Sequence, residues 1–246
     1  MDNQKFHPIE RQSLSDRVFQ QLKERIFSGD MGPGEPLPAE RALCTMLQVN
    51  RGALREALKR LEQLRLVSIQ HGDATRVLDF RQTGGLDLLT ELLLPPNGPP
   101  NTDALRGLAE MRTVLAADAA RRCAERSPQQ ADALDTIVER MMGAQEDLEA
   151  LQELSMQYWT VVIGGSNNVA YQLAFNSMRT AYAQVKDMLV NLLGAEFSAL
   201  ESYKGIADAI RRGDGETAHG TAFRTLKDGE SALQRLANLL DLPVEL

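Results

Sequence analysis

Residues 37–80 constrain this chain more than any other stretch: LPAERALCTMLQVNRGALREALKRLEQLRLVSIQHGDATRVLDF. Pro38 suits a first helical turn, where its missing N–H costs nothing. Ala42, Leu43, Met46 and Leu47 follow at helical spacing. Gln48-Val49 breaks that helix, and Asn50 is a good N-cap for the next one. There Leu54, Ala57, Leu58, Leu61 and Leu64 form an apolar stripe, with Arg51, Arg55, Lys59 and Arg60 mostly off it. Two β-favouring runs, Leu66–Gln70 and Thr75–Phe80, flank His71-Gly72-Asp73-Ala74. Helix, tight turn, basic-fronted helix and hairpin spell a winged helix-turn-helix, and its chemistry is that of a DNA reader. A helix N-terminus offers unpaired N–H groups to phosphate. Arginines in its first turns reach guanine edges or clamp phosphates. A slim His71-Gly72 tip suits an adjacent minor groove. Taken singly these residues are weak signals: arginines on a solvated face, Asn50 as a plain cap, His71 as a turn residue. Their order and spacing carry the reading.

The motifs PGEPLPAER (33–41), VNRGALREALKRLEQ (49–63) and IQHGDATRVLDFRQTGGLDLL (69–89) resemble the GntR superfamily of bacterial transcription regulators, and within it the fatty-acid-responsive FadR-like branch. That resemblance implies DNA contact by Arg41, Asn50, Arg51, Arg55, His71 and Gly72. With Gly52, in the same first turn, they make the candidate DNA-contacting set. Two positions depart from the branch: a threonine is expected where Asn50 stands, and a lysine where Asp73 stands. An acidic wing tip should repel phosphate, so operator sequence or affinity is expected to differ.

Charge divides the chain. Residues 1–80 hold twelve Lys/Arg and eleven Asp/Glu, whereas the remainder holds fifteen and twenty-three, within a total of −7. DNA contact must therefore come from locally placed arginines rather than a general basic field. Cys44 and Cys123 sit in apolar helical patterns and read as buried reduced thiols. No run of eighteen apolar residues occurs, and the N-terminus lacks a signal-peptide core. A cytoplasmic protein without membrane contact is expected.

The expected organisation is a reader over 1–80, a linker with a short helix over 81–101, and an α-helical ligand-binding and dimerisation domain over 102–246. Within the reader, Ser13 or Ser15 caps a helix with Leu14, Val18, Leu22 and Ile26 inward. Arg81–Gly85 reads as linker, and Leu86–Leu94 as a short apolar helix. Helical periodicity then dominates, with helices expected near 103–126, 128–149, 150–163, 168–193, 197–212 and 214–240, broken at Gly164–Asn168 and Gly213-Asp214. The fold class is mainly α: a winged helix-turn-helix followed by an all-α bundle.

The bundle resembles the ligand domain of the same branch, the FCD or FadR-C type. The residues that carry this are Glu110–Arg112, Ser166–Asn168, Tyr171, Asn176–Met178, Tyr182 and Ala209–Asp214. FCD domains commonly hold a divalent metal with one aspartate and three histidines. Ser155, Trp159, Tyr203 and Thr225 stand at the matching positions, and only three histidines exist, His7, His71 and His219. No metal is expected. His219 reads as an exposed helix residue.

Arg112 falls on the stripe Leu105, Leu108, Leu115, Ala119. An inward arginine is a salt bridge to a bundle carboxylate or the partner of an anionic ligand. Trp159, Tyr158, Tyr171 and Tyr182 line the same cavity or are plain core. The resemblance implies a long-chain acyl-CoA effector; the alternative is a small organic acid held by Arg112. Enzyme motifs are missing: there is no GxSxG, no phosphate-cradling glycine loop and no catalytic residue to nominate. An architectural DNA protein needs no separate acidic domain. A homodimer on a palindromic double-stranded operator is expected.

Overall fold

The structure, a computed structural model, describes residues 13–70, 74–95 and 100–241. The chain divides into two compact units between Leu88 and Leu89, within the stretch expected to be linker.

The first unit opens with α1 (Leu14–Phe27). Ser13 and Asp16 form a reciprocal capping box: Ser13 Oγ accepts from the Asp16 amide at 3.0 Å, and Asp16 Oδ2 accepts from the Ser13 amide at 3.1 Å. Ser15, Val18, Phe19, Leu22 and Ile26 are buried, but Leu14 is exposed, so in the first turn the inward face runs through Ser15 and not Leu14. The helix packs on α3 (Arg51–Gln63), which buries Leu54, Ala57, Leu58 and Leu61. Between them lies α2 (Glu40–Leu47). Its N-cap is Ala39, so Pro38 precedes the helix instead of occupying its first turn. Met46 is exposed; an eight-residue helix buries only Leu43. Gln48 closes α2 in the left-handed region, φ 53°, and so turns the chain toward α3.

The hairpin is shorter than the β-favouring runs. β1 (Val67–Ser68) pairs antiparallel with β2 (Arg76–Val77) in the register Val67↔Val77. A third segment that composition marks as loop completes it. Gly34 N–H donates to Val77 O, Leu37 N–H to Thr75 O and Val77 N–H to Glu35 O, at 2.8–3.0 Å. The wing tip His71-Gly72-Asp73 lies outside the described residues. Phe80 belongs to α4 (Phe80–Thr83), not to a strand, because Asp79 caps the Arg81 amide at 3.1 Å. The expected linker 81–85 is therefore partly helical. Gly84 is required where it stands: a Cβ there would collide with the Leu88 side chain and sit 2.6 Å from Phe80 O.

The second unit is all helical: α5 (Leu88–Leu93), which straddles the boundary, α6 (Thr102–Arg126), α7 (Ala131–Gly143), α8 (Leu148–Gly165), α9 (Val169–Ala183), α10 (Lys186–Leu189), α11 (Gly194–Phe197), α12 (Leu200–Arg211) and α13 (Gly215–Leu240). Asn101, Asp147, Asn168 and Asp214 each cap the helix that follows. The spine is the antiparallel pair α6/α13. Thr102 and Arg106 meet Asp241 at one end, and Gly215 lies against Arg121 at the other. Both helices bury runs of alanine, including Ala116, Ala117, Ala120, Ala218 and Ala222, and such small side chains let the backbones approach.

Two expected long helices are divided. The 168–193 segment turns at Gln184-Val185, and that turn brings Val185 and Leu189 inward. The 197–212 segment breaks at Ser198-Ala199. Gly165 permits α8 to touch α6, since a Cβ there would stand 2.5 Å from Cys123 Sγ. Burial pushes the Cys123 thiol up to about 11; Cys44 is only half-buried, contrary to the expected pair of buried thiols. Among the described residues no helix is long and apolar enough to cross a membrane.

Candidate operator interface and effector cavity

In the first unit the Asn50 side chain accepts from the Ala53 amide at 2.9 Å, which starts α3 and leaves its first turn exposed. Gly52 sits beside that cap; a Cβ there would be 3.3 Å from Asn50 Oδ1. Arg51 and Arg55, four residues apart, share one face of α3, and their side chains are 70% and 60% exposed. Arg41, on α2, is exposed as well. His71 and Gly72 fall outside the described residues, so five of the seven candidate positions are placed, all of them on the α2–α3 side of the reader.

Glu40, which sequence reasoning passed over, ties that face together. Its Oε2 accepts from Arg51 Nε at 3.0 Å and from Arg55 Nε at 3.1 Å. The Arg51 hydrogen bond, followed by that of Arg55, holds the Glu40 carboxyl below the usual carboxylate range. The signal available in sequence was an acid opening the helix before two arginines at i and i+4.

In the second unit a cavity of about 80 Å³ lies among the helices. It is a narrow crevice. Its walls are apolar, with Leu108, Leu115, Trp159, Phe175, Leu189 and Leu226 among them. Of the four candidate ligand residues, Arg112, Trp159 and Tyr182 line it. Tyr171 does not. Its hydroxyl donates to Asp118 Oδ2 at 2.7 Å, and Arg122 lies over its ring, so a carboxylate on α6 draws it away. Tyr158 is core, donating to Tyr203 O at 2.8 Å.

Arg112 reaches into the wall of the cavity and makes a bidentate pair with Glu196: Nη1 to Oε1 at 3.0 Å and Nη2 to Oε2 at 2.8 Å. The Glu196 side chain is 1% exposed. Burial pushes its carboxyl above the ordinary range while Arg112 draws it back. Guanidinium does not titrate in the accessible range, so Arg112 remains the charged partner of this fork. Gly229 of α13 makes room for it: a Cβ there would run into the Glu196 carboxylate and stand 2.8 Å from Arg112 Nη2. Arg112 Nε is left buried without a partner. The Tyr182 hydroxyl accepts from Gln152 Nε2 at 2.7 Å, and burial pushes its pKa up to about 12.

The positions matching the FCD metal ligands carry the wrong donors. Ser155 Oγ and the Tyr203 hydroxyl are hydrogen-bonded to each other at 2.8 Å, and burial raises the Tyr203 phenol well above its ordinary value. Trp159 offers no lone pair; its buried indole N–H faces the Tyr203 hydroxyl without a well-formed hydrogen bond. Thr225 spends its hydroxyl on Thr221 O. This set does not fit a divalent metal ion. His219 is half-buried and stacked on Phe223, not fully exposed as its sequence setting suggested.

A winged helix-turn-helix joined to a helical domain with an internal cavity defines a ligand-responsive DNA-binding regulator. The chain belongs to the GntR family: residues 14–77 match the bacterial regulatory proteins of the gntR family, and residues 107–228 match the FCD domain. It is 35% identical over 227 residues to the HTH-type transcriptional regulator Mce2R of Mycobacterium tuberculosis, covering 92% of this chain and 94% of that one. It is 30% identical over 178 residues to the fatty acid metabolism regulator protein of Serratia proteamaculans, covering 72% of each. In fold it is similar to the solved structure of Lar, which controls expression of the Listeria monocytogenes agr system, with a TM-score of 0.53, 18% identity, and 93% and 100% of the two chains covered. The protein is thus a DNA-binding transcription regulator with an effector-binding domain, of a family whose members are regulators and not enzymes, bind DNA operators and typically act as dimers.

Proposed function

We propose that this regulator controls genes of fatty-acid metabolism from the cytoplasm, and that long-chain acyl-CoA releases its homodimer from a palindromic operator. The observation that carries the reading is an apolar cavity in which Arg112, the arginine set into its wall, already has its counter-ion. A small organic acid seated at Arg112 would have to displace Glu196, whose carboxylate would repel its own. An acyl chain asks only for apolar walls. Beside the cavity, an open vestibule that shares Gln152, Met156, Arg179 and Tyr182 with it also carries Lys186 and, of opposite sign, Glu153. Arg179 and Lys186 are exposed and make no side-chain ion pair among the described residues, so they are the cations at hand for an anionic head group. A relative named as a fatty acid metabolism regulator supports the proposed set of target genes.

The crevice is too tight for a long chain as it stands. Binding must therefore widen it, and that difference between liganded and free states is what could be transmitted to the reading heads. In a fluorescence-anisotropy titration of operator DNA, long-chain acyl-CoA should release the protein at lower concentration than acetate, succinate or free CoA. Release by a small carboxylate in preference would replace the acyl-CoA reading with the organic-acid one.

On this proposal the effector domain works without metal. A chelator should leave the melting temperature and operator affinity unchanged. A fall of several degrees reversed by zinc would show a site that these donors do not suggest.

A further inference from the structure

We infer that Glu40 is a positioning residue for operator recognition, a clamp that holds the Arg51 and Arg55 guanidinium groups in one fixed arrangement on the exposed face of α3. The geometry is specific. Glu40 opens α2, on the far side of the turn from α3, and its carboxylate meets both arginines only through their inner Nε atoms. A guanidinium carries five N–H donors in a rigid fork. With Nε taken, the four Nη donors of each arginine stay available, and among the described residues none of them makes another hydrogen bond. That free end is the edge that pairs bidentately with a guanine or a phosphate.

Two arginines four residues apart on one helix repel each other and sample many rotamers. A single carboxylate between them removes both problems while leaving the trio one net positive charge. The ordering cost is then met in the free protein and not on DNA, which is how preorganisation raises affinity and selectivity. The start of α2 favours a negative charge at Glu40, and the arginine hydrogen bonds hold its carboxyl below the usual range, so the clamp persists through the neutral and mildly acid range.

The inference presupposes that Arg51 and Arg55 meet the operator, so the test separates the two ideas. The probes are a duplex selected from a random library by the parent protein and a scrambled duplex of the same composition. Affinity for both is measured across salt for Glu40→Gln, Glu40→Ala, Arg51→Ala and Arg55→Ala, with melting temperatures alongside. Both Glu40 variants should lose about tenfold in operator affinity, alanine more than glutamine. Binding to the scrambled duplex should hold or tighten, because a negative charge has left the face. The ratio of the two affinities therefore falls while the melting temperature stays put.

In the Arg51→Ala/Arg55→Ala background, Glu40→Gln should have no further effect on that ratio. If Glu40→Gln binds the operator as well as the parent or better, with the ratio kept, Glu40 is a counter-ion that DNA displaces and the clamp is wrong. A parallel loss on both duplexes with a lowered melting temperature makes it merely structural and also overturns the clamp. If neither arginine variant changes the ratio, the DNA-contact reading itself fails and the clamp falls with it.

Discussion

Arg112→Ala should destabilise the protein by about 3–5 kcal/mol, the usual cost of stranding one member of a buried ion pair. Glu196 would keep a carboxylate that is 1% exposed and lose the fork that holds both of its oxygens. Removing both charges, as Arg112→Met with Glu196→Leu, should recover most of that loss, because desolvation of the pair largely offsets its attraction. Urea unfolding of Arg112→Met, Glu196→Leu and the double variant gives the coupling energy directly. A single Arg112→Ala variant within about 1 kcal/mol of the parent would mean that the pair is not buried as described. The double variant also separates packing from recognition: if Arg112 serves the fold alone, acyl-CoA still releases it from the operator. Loss of release in a well-folded double variant would return Arg112 to the ligand.

What the sequence made legible, and what it hid, follows from the range over which each interaction is encoded. The Ser13–Asp16 box and the Asn50 cap are written within a few residues. So is the α3 stripe, since periodicity and capping are local properties. Arg112 announced itself by falling on an apolar stripe, but its partner lies 84 positions away and nothing near Glu196 marks it as buried. Glu40 was hidden in the same way, 11 and 15 positions from the arginines that it joins. Gly34 and Pro36 favour turns, yet the backbone of segment 34–37 pairs with the wing. Tyr171 carried the right residue type for a cavity wall, and only the position of Asp118 sent it elsewhere.

Loss of useful operator binding is the expected result for Arg51→Ala and Arg55→Ala, with little change in stability. Both side chains are mostly exposed and are paired with Glu40. The two replacements need not be alike. An arginine that reads a base bidentately costs about 1–3 kcal/mol when removed and relaxes preference at one operator position. One that clamps phosphate weakens every sequence together and makes the dependence of log affinity on log salt shallower by about one. Titrating each variant against the selected operator, its single-position substitutions and a scrambled duplex at several salt concentrations assigns the role. Because the reader carries twelve basic and eleven acidic residues over positions 1–80, no diffuse positive field can cover for a lost arginine. If both variants still bind the operator like the parent, the face formed by α2 and α3 is not the one that meets DNA.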